Sequence, residues 1–159
     1  MINHAWDFRE DSASEDEIFR HLSACNLDFV PPLDRKVDLR NYARKLADRA
    51  ATFEAWKEDV LVGLVAAYPP ASDHPKRVFV SNVSVLNEFA SRGLAGELVR
   101  RCLEKACALG ADFAELEVSE EHTRALGFYL HLGFEKTKSK GGLVMMKMSL
   151  HPKKHEEEA

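Results

Sequence analysis

Two glycines stand at the mouth of a stretch that otherwise has helical periodicity, Ser91-Arg92-Gly93-Leu94-Ala95-Gly96-Glu97-Leu98-Val99. Each glycine inside a helix costs about 1 kcal/mol relative to alanine, so their placement needs a reason. A glycine-rich turn leading from a strand into a helix leaves backbone N–H groups pointing outward, and the helix macrodipole adds about half a positive charge there. With no Cβ in the way, a bulky anion such as a pyrophosphate can reach those groups, and Arg92 could add a cation beside them. The same glycines could instead serve only to let a helix pack closely on a sheet. Neither G-x-x-x-x-G-K-[ST] nor G-x-G-x-x-G occurs, which excludes the nucleotide P-loop and the dinucleotide fingerprint.

Three further residues could handle protons. Glu115 and Glu117 alternate along an apolar strand pattern and share one face, so one of them could enter a cleft as a general base; both could equally lie on a solvated face. Tyr129 is either a proton donor or a core aromatic with its hydroxyl tied to backbone. Cys25, Cys102 and Cys107 are odd in number and lack C-x-x-C spacing; the first two read as core thiols and Cys107 as bordering a polar side. The seven histidines contain no H-E-x-x-H, and His151 and His155 are separated by Pro152, so no metal ligands are predicted.

The elements that must position these groups follow from period and punctuation. A short strand is expected over 5–9, then a helix from the capping residues Ser12 to Glu17 to about Cys25. Pro31 and Pro32 force 26–33 into a loop or lid, and a second helix spans about 38–50. A hairpin is predicted over 52–57 and 60–68, and a strand over 77–86 after a proline-containing loop. The glycine stretch opens a long helix over about 94–109, with Ala95, Leu98, Val99, Cys102, Ala106 and Leu109 on one face and Gly110 as its cap. A strand over 113–118, a helix over 124–132 stopped by Gly133, and two strands (134–138 and 143–150) joined at Gly141-Gly142 complete the pattern. The fold class is α+β, of the three-layer sandwich type: one domain over 1–150 with a mixed, mostly antiparallel sheet of six or seven strands flanked by four helices, and a charged tail over 151–159.

At 159 residues, 45% hydrophobic and 30% charged, the chain has the length and composition of a single globular domain. No apolar run approaches the roughly 20 residues of a membrane span, and the N-terminus lacks a basic-then-apolar leader, so a cytoplasmic location is expected. A formal net charge of -4 offers no overall positive field for nucleic acid or anionic lipid, so neither is an expected partner.

The spacing Val83-Ser84-Val85, then Ala90-Ser91-Arg92-Gly93-Leu94-Ala95, then Leu116-Glu117-Val118, His122, Ala125, Tyr129, Gly133 and Phe134 resembles the GCN5-related N-acetyltransferases. Motif A of that family reads V-x-P followed by [RQ]-x-x-G-x-[GA]; its downstream motif reads L-E-V and then N-x-x-A-x-x-x-Y-x-x-x-G-F. The two motifs cover about 77–136, and the preceding helices and hairpin fit the family's order. Asn87 stands where proline is usual, Ala90 replaces arginine or glutamine, and His122 replaces asparagine. With Ala90 a side chain is missing from the phosphate loop, and its backbone must carry more of the binding.

The resemblance implies acetyl-CoA as co-substrate, bound by Val83, Ser84, Val85, Ser91, Arg92, Gly93, Leu94, Ala95, Gly96, His122 and Tyr129. It implies that the strands carrying Val85 and Glu117 splay, that the Val85 amide polarises the thioester carbonyl, that Tyr129 protonates the departing thiolate, and that Glu117 serves as base. It places the acceptor near 29–33, Arg40 to Tyr42 and Lys138 to Leu143. Phe29, Pro31 and Leu33 either wall a pocket or pack on the core. The acceptor is a small-molecule amine (amino sugar, polyamine or amino acid) or a peptide amine, a non-catalytic acyl-CoA sensor is the reading of another class, and a homodimer stays open.

Overall fold

The computed structural model describes residues 6–70 and 76–151; Ala5, Pro75 and the expected tail from 152 lie outside the described residues. The first strand, β1, is Asp7–Glu10. Helix α1, Glu15–Cys25, starts at a capping box in which Ser14 and Glu17 satisfy each other's backbone amides. Two 3-10 turns carry the chain through 26–35, and α2, Leu39–Arg49, starts at Asp38, whose carboxylate accepts from Asn41 N–H. The hairpin of β2 (Ala51–Lys57) and β3 (Val60–Tyr68) leads to β4 (Arg77–Val85), α3 (Leu94–Ala108) and β5 (Phe113–Ser119). Helix α4 (Thr123–Leu132) and the hairpin of β6 (Glu135–Lys140) and β7 (Leu143–Ser149) follow. Gly141 and Gly142 both have positive φ, 61° and 84°, as a tight hairpin turn requires.

The seven strands form one sheet in the order β1-β2-β3-β4-β5-β7-β6, antiparallel except for β4 against β5. Ile18, Leu22, Ala43 and Leu46 of α1 and α2 cover one face against Trp56, Leu61, Leu64 and Ala66. Leu94, Leu98, Val99 and Cys102 of α3 cover the other against Phe53, Val65, Val78 and Val80, joined by Leu126 of α4. The architecture is thus the expected three-layer α+β domain. Leu109, predicted on the apolar face of α3, is 55% exposed because it follows the last helical turn. Among the described residues no helix is long and apolar enough to cross a membrane.

Strand β4 carries the irregularity on which the site depends. Apart from Phe79, its apolar residues fall at 78 and 80 and then at 83 and 85, one step out of phase, and a strand cannot keep all four valines on one face without an extra residue. The β3–β4 register supplies it: Ala66 opposes Asn82 and Ala67 opposes Val80, so Ser81 is a bulge. Val83 and Val85 thereby rejoin the α3 face, while Asn82 and Ser84 turn toward α1. Pairing of β4 with β5 covers Arg77–Phe79 and Phe113–Glu115 and stops there.

Two buried polar groups tie the layers together. Glu54, fully buried on β2, accepts from Ser12 N–H, Ala13 N–H, the Ser12 and Thr52 hydroxyls and Trp56 Nε1, and so fixes the chain between β1 and α1. Burial pushes its pKa up, but these hydrogen bonds outweigh burial and hold it below the ordinary carboxylate value. His21 of α1 is 3% exposed, with Nδ1 3.0 Å from Leu61 O and Nε2 2.9 Å from Ser84 Oγ. Desolvation lowers its pKa to about 4, so it is neutral in the fold at pH 7.

Gly63 on β3 accounts for the close approach of α3: a Cβ there would lie 2.9 Å from Leu98 Cδ1 and 3.5 Å from Leu94 Cδ2. Gly63→Ala is expected to cost about 1–3 kcal/mol by overpacking, whereas Gly96→Ala, with nothing within 4 Å of the new methyl, is expected to leave the thermal midpoint unchanged or higher. Thermal unfolding of both variants checks this. His21 makes a second expectation. The unfolded imidazole binds a proton near pH 6.5 and the folded one only near 4, so the unfolded state gains protons as pH falls through that window. Stability should therefore decline from about pH 6.5 to about pH 4, by about 1.4 kcal/mol per unit at most; His21→Gln, measured by denaturant unfolding across the window, should flatten that slope.

Candidate active site

A cavity of about 720 Å³ opens where β4 and β5 part, within the size range of small-molecule sites. Val83, Ser84 and Val85 form one wall, and Glu117 on β5 stands on the other side of the gap. Ser91 and Gly93 to Gly96 close one end, and His122 and Tyr129 of α4 contribute beside them. Leu86 N–H bonds Val62 O across the β3 side. Since amides alternate along a strand, the Val85 N–H points the opposite way, into the gap that β5 has left.

The start of α3 is built for an anion. Gly93 is the N-cap residue at φ 78°, Ser91 is also left-handed at φ 65°, and no side chain caps the helix. Glu97 N–H is the first to find a carbonyl, that of Gly93; the Leu94, Ala95 and Gly96 amides have no acceptor among the described residues. By contrast α1 and α2 are capped by Ser14 and Asp38. A Cβ on Gly93 or Gly96 would meet nothing within 4 Å, so these glycines do not serve helix packing, which falls to Gly63. Arg92 does not line the cavity; its guanidinium lies 5.6 Å from the Phe89 ring, which Lys57 also approaches at 5.5 Å.

Arg124 does line the cavity, and sequence reasoning missed it. A signal was available: a cation in the first turn of α4 opposes the macrodipole, a local disadvantage that an anionic neighbour would offset. His122, the N-cap residue of α4, makes no side-chain cap bond, which leaves its ring to the cavity.

Tyr129 packs edge-on against Phe128 and Phe134, with centroids 5.1 and 5.8 Å away. Phe134, 2% exposed, also donates its N–H to Tyr129 O, so the Gly133-Phe134 turn anchors the ring from behind. The Tyr129 hydroxyl is not tied to backbone: it has no hydrogen-bond partner among the described residues. Burial raises its pKa, so at neutral pH it carries a proton. Of the two carboxylates, Glu117 is exposed and lines the cavity, while Glu115 pairs with Arg77 at 2.9 Å and does not.

At the opposite end the 26–35 turns bring Phe29, Pro31 and Leu33 to the cavity, with Lys36 beside them; Leu33 is also core, at 7% exposed. Arg40 to Tyr42 and Lys138 to Leu143 are not in the cavity wall. Arg40 is held by Glu15 and Asp16, and Tyr42 acts one layer behind, bonding the O and Oγ of the bulge residue Ser81. Asn82, which does line the cavity, and His21 behind it were not singled out from the sequence; the phase slip at Ser81 was the available signal for Asn82.

The model of the acetyltransferase (GNAT) family matches residues 15–134. An N-acetyltransferase of Bacillus subtilis, YvbK, is 30% identical over 87 residues, covering 55% of this chain and 54% of its own, and the human N-acetyltransferase 8B is 38% identical over 87 residues, covering 52% and 37%. The chain thus spans about half or less of the length of these curated relatives. Among solved structures, a Bacillus subtilis acetyltransferase in complex with CoA superposes with a TM-score of 0.69 at 21% identity, over 92% of this chain and 99% of that one. At such identity the superposition speaks for the fold, and the family match over 15–134 speaks for descent: the chain belongs to the GNAT family of acetyltransferases.

Proposed function

We propose that the protein binds acetyl-CoA at this cavity and moves the acetyl group directly to a primary amine of a small molecule. The observation that carries this reading is the set of unpaired amides of Leu94, Ala95 and Gly96 at an uncapped helix start, with open space beside Gly93 and Gly96. Such a cradle suits a pyrophosphate. The CoA in the Bacillus subtilis structure supports the same ligand here. With Ala90 in place of a longer side chain, backbone amides do most of the holding, and Arg124 adds a cation on the cavity wall.

Acetyl-CoA, when bound, supplies an activated acetyl thioester. The chain's part is to hold and to move protons. The Val85 N–H, facing the gap between β4 and β5, is a donor for a carbonyl oxygen on which negative charge develops. Tyr129, protonated and without a partner for its hydroxyl, can give a proton to a departing thiolate. Glu117, exposed at the rim of the same cavity, can take a proton from an ammonium, directly or through water. A free amine with pKa about 10.4 is neutral only about once in a few thousand molecules at pH 7, so a proton acceptor is needed before the nitrogen can attack. The apolar wall of Phe29, Pro31 and Leu33 narrows the acceptor end, which favours a small amine over a peptide.

Gly93→Val, placing a β-branched side chain at φ 78° and into the cradle, is expected to abolish CoA binding in calorimetry while circular dichroism stays native. Tyr129→Phe should lower kcat about 10- to 100-fold with CoA affinity unchanged; an equal kcat would make the tyrosine structural. For Glu117→Gln kcat/KM at neutral pH should fall and its pH profile change shape, and an unaltered rate and profile remove this residue as base. CoA release measured against amino sugars, polyamines, amino acids and peptides identifies the acceptor class; tight CoA binding with no release against any of them favours an acyl-CoA sensor.

A further inference from the structure

The α1-facing side of β4 presents polar groups whose hydrogens are all committed elsewhere. Asn82 and Ser84 line the cavity at 4% and 8% exposure. The Asn82 amide NH2 donates to Leu64 O at 3.2 Å and to Ser84 Oγ at 2.8 Å. Leu64 O can only accept, which fixes the orientation of the amide and turns its Oδ1 away from both partners. Oδ1 accepts no hydrogen bond among the described residues. Nor is it sealed: among the described residues Tyr68 Oη is the side-chain atom buried from solvent with no partner. The Asn82 carbonyl therefore opens on the cavity.

Ser84 is committed in the same sense. His21 Nδ1 faces Leu61 O at 3.0 Å and must carry the hydrogen, since a carbonyl offers none. Its Nε2 is then a bare lone pair, 2.9 Å from Ser84 Oγ and 3.7 Å from Cys25 Sγ; the hydroxyl is both nearer and the stronger donor, so the serine donates to it. One lone pair of Oγ receives Asn82 Nδ2–H; the other meets only the weak S–H donor of Cys25, which an incoming N–H outcompetes. Asn82 Oδ1 and Ser84 Oγ are thus a pair of acceptors with no donor available between them.

We propose that Asn82 Oδ1 and Ser84 Oγ form a seat for the primary amino group of the acceptor. That the occupant is the acetyl acceptor rests on the acetyl-transfer reading; the preference for an N–H donor does not. An amine or ammonium brings two or three N–H groups to two waiting acceptors, whereas a carboxylate would set acceptor against acceptor. The seat itself is uncharged, so it does not hold the nitrogen in its ammonium form as strongly as a carboxylate seat would. It binds an amine and leaves it free to lose a proton. The lock behind it, Leu64 O, Leu61 O and the neutral His21 ring, keeps either acceptor from turning into a donor.

The full chain labelled with nitrogen-15 tests this without any known substrate. Ethylammonium, butylammonium and phenethylammonium chlorides are titrated in, with sodium 3-phenylpropionate at matched ionic strength as the control. The Asn82 side-chain amide signals should shift saturably with at least one ammonium and stay in place with the carboxylate. Ser84→Ala, a small change that keeps the strand, should weaken that binding about tenfold. No saturable shift with any ammonium, an equal shift with the carboxylate, or an unchanged affinity in folded Ser84→Ala would overturn the seat. Calorimetric titration of CoA on the same sample reports separately on the acetyl-transfer reading: loss of CoA binding would remove that reading and leave the amine seat standing, while CoA binding without an amine effect does the reverse.

Discussion

Everything at the site depends on β4 and β5 pairing for three residues and then parting. A parallel pair that continued past Phe79 and Glu115 would bury the edge of β4 in hydrogen bonds and close the cavity. The Ser81 bulge supplies the bend: with two residues of β4 set against one step of β3, the strand turns more sharply and its far half swings away from β5. Unpaired amides on an internal edge are costly in a packed core. Here they face a cavity, where a ligand can supply the missing partners.

The same bulge sorts the side chains of β4 between the layers. Val83 and Val85 rejoin the apolar cluster under α3, and Asn82 and Ser84 turn to α1, where His21 waits. The buried imidazole is then a structural part rather than an acid or base at neutral pH. Desolvation keeps it uncharged, its tautomer is set by Leu61 O, and it passes that directionality to Ser84. Tyr42 braces the bulge from α2 through Ser81. The helices on one face of the sheet therefore decide the hydrogen-bonding character of the cavity wall.

The glycines divide their labour by what surrounds them. Gly63 permits the contact of α3 with the sheet, since its missing Cβ is where Leu98 sits. Gly93 takes a left-handed turn that starts α3 with no side-chain cap, and Gly96 keeps the first turn open to the cavity. A helix start without a cap is a local loss in stability of about 1 kcal/mol. That loss is confined to the helices whose N-termini face the cavity, α3 and α4; α1 and α2 carry Ser14 and Asp38.

Period, caps and breakers in the sequence were enough for the element order, the three-layer class and the boundaries of most helices, because those signals are local: the Ser14–Glu17 box, the prolines at 31 and 32, the glycine pair at 141–142. The motif spacing from Val83 to Phe134 likewise marked the strand, loop and helix that frame the cavity. What the letters left undecided were questions of what lies across space. Whether Gly93 and Gly96 face a helix neighbour or a void, which of Glu115 and Glu117 meets Arg77, whether Tyr129 has a partner, and that His21 reaches Ser84 across 63 residues depend on how layers dock. No local propensity encodes that. The phase slip at Ser81 was written in the sequence, but its consequence, an open strand edge above a locked pair of acceptors, appears only when α1, β4 and β5 are brought together.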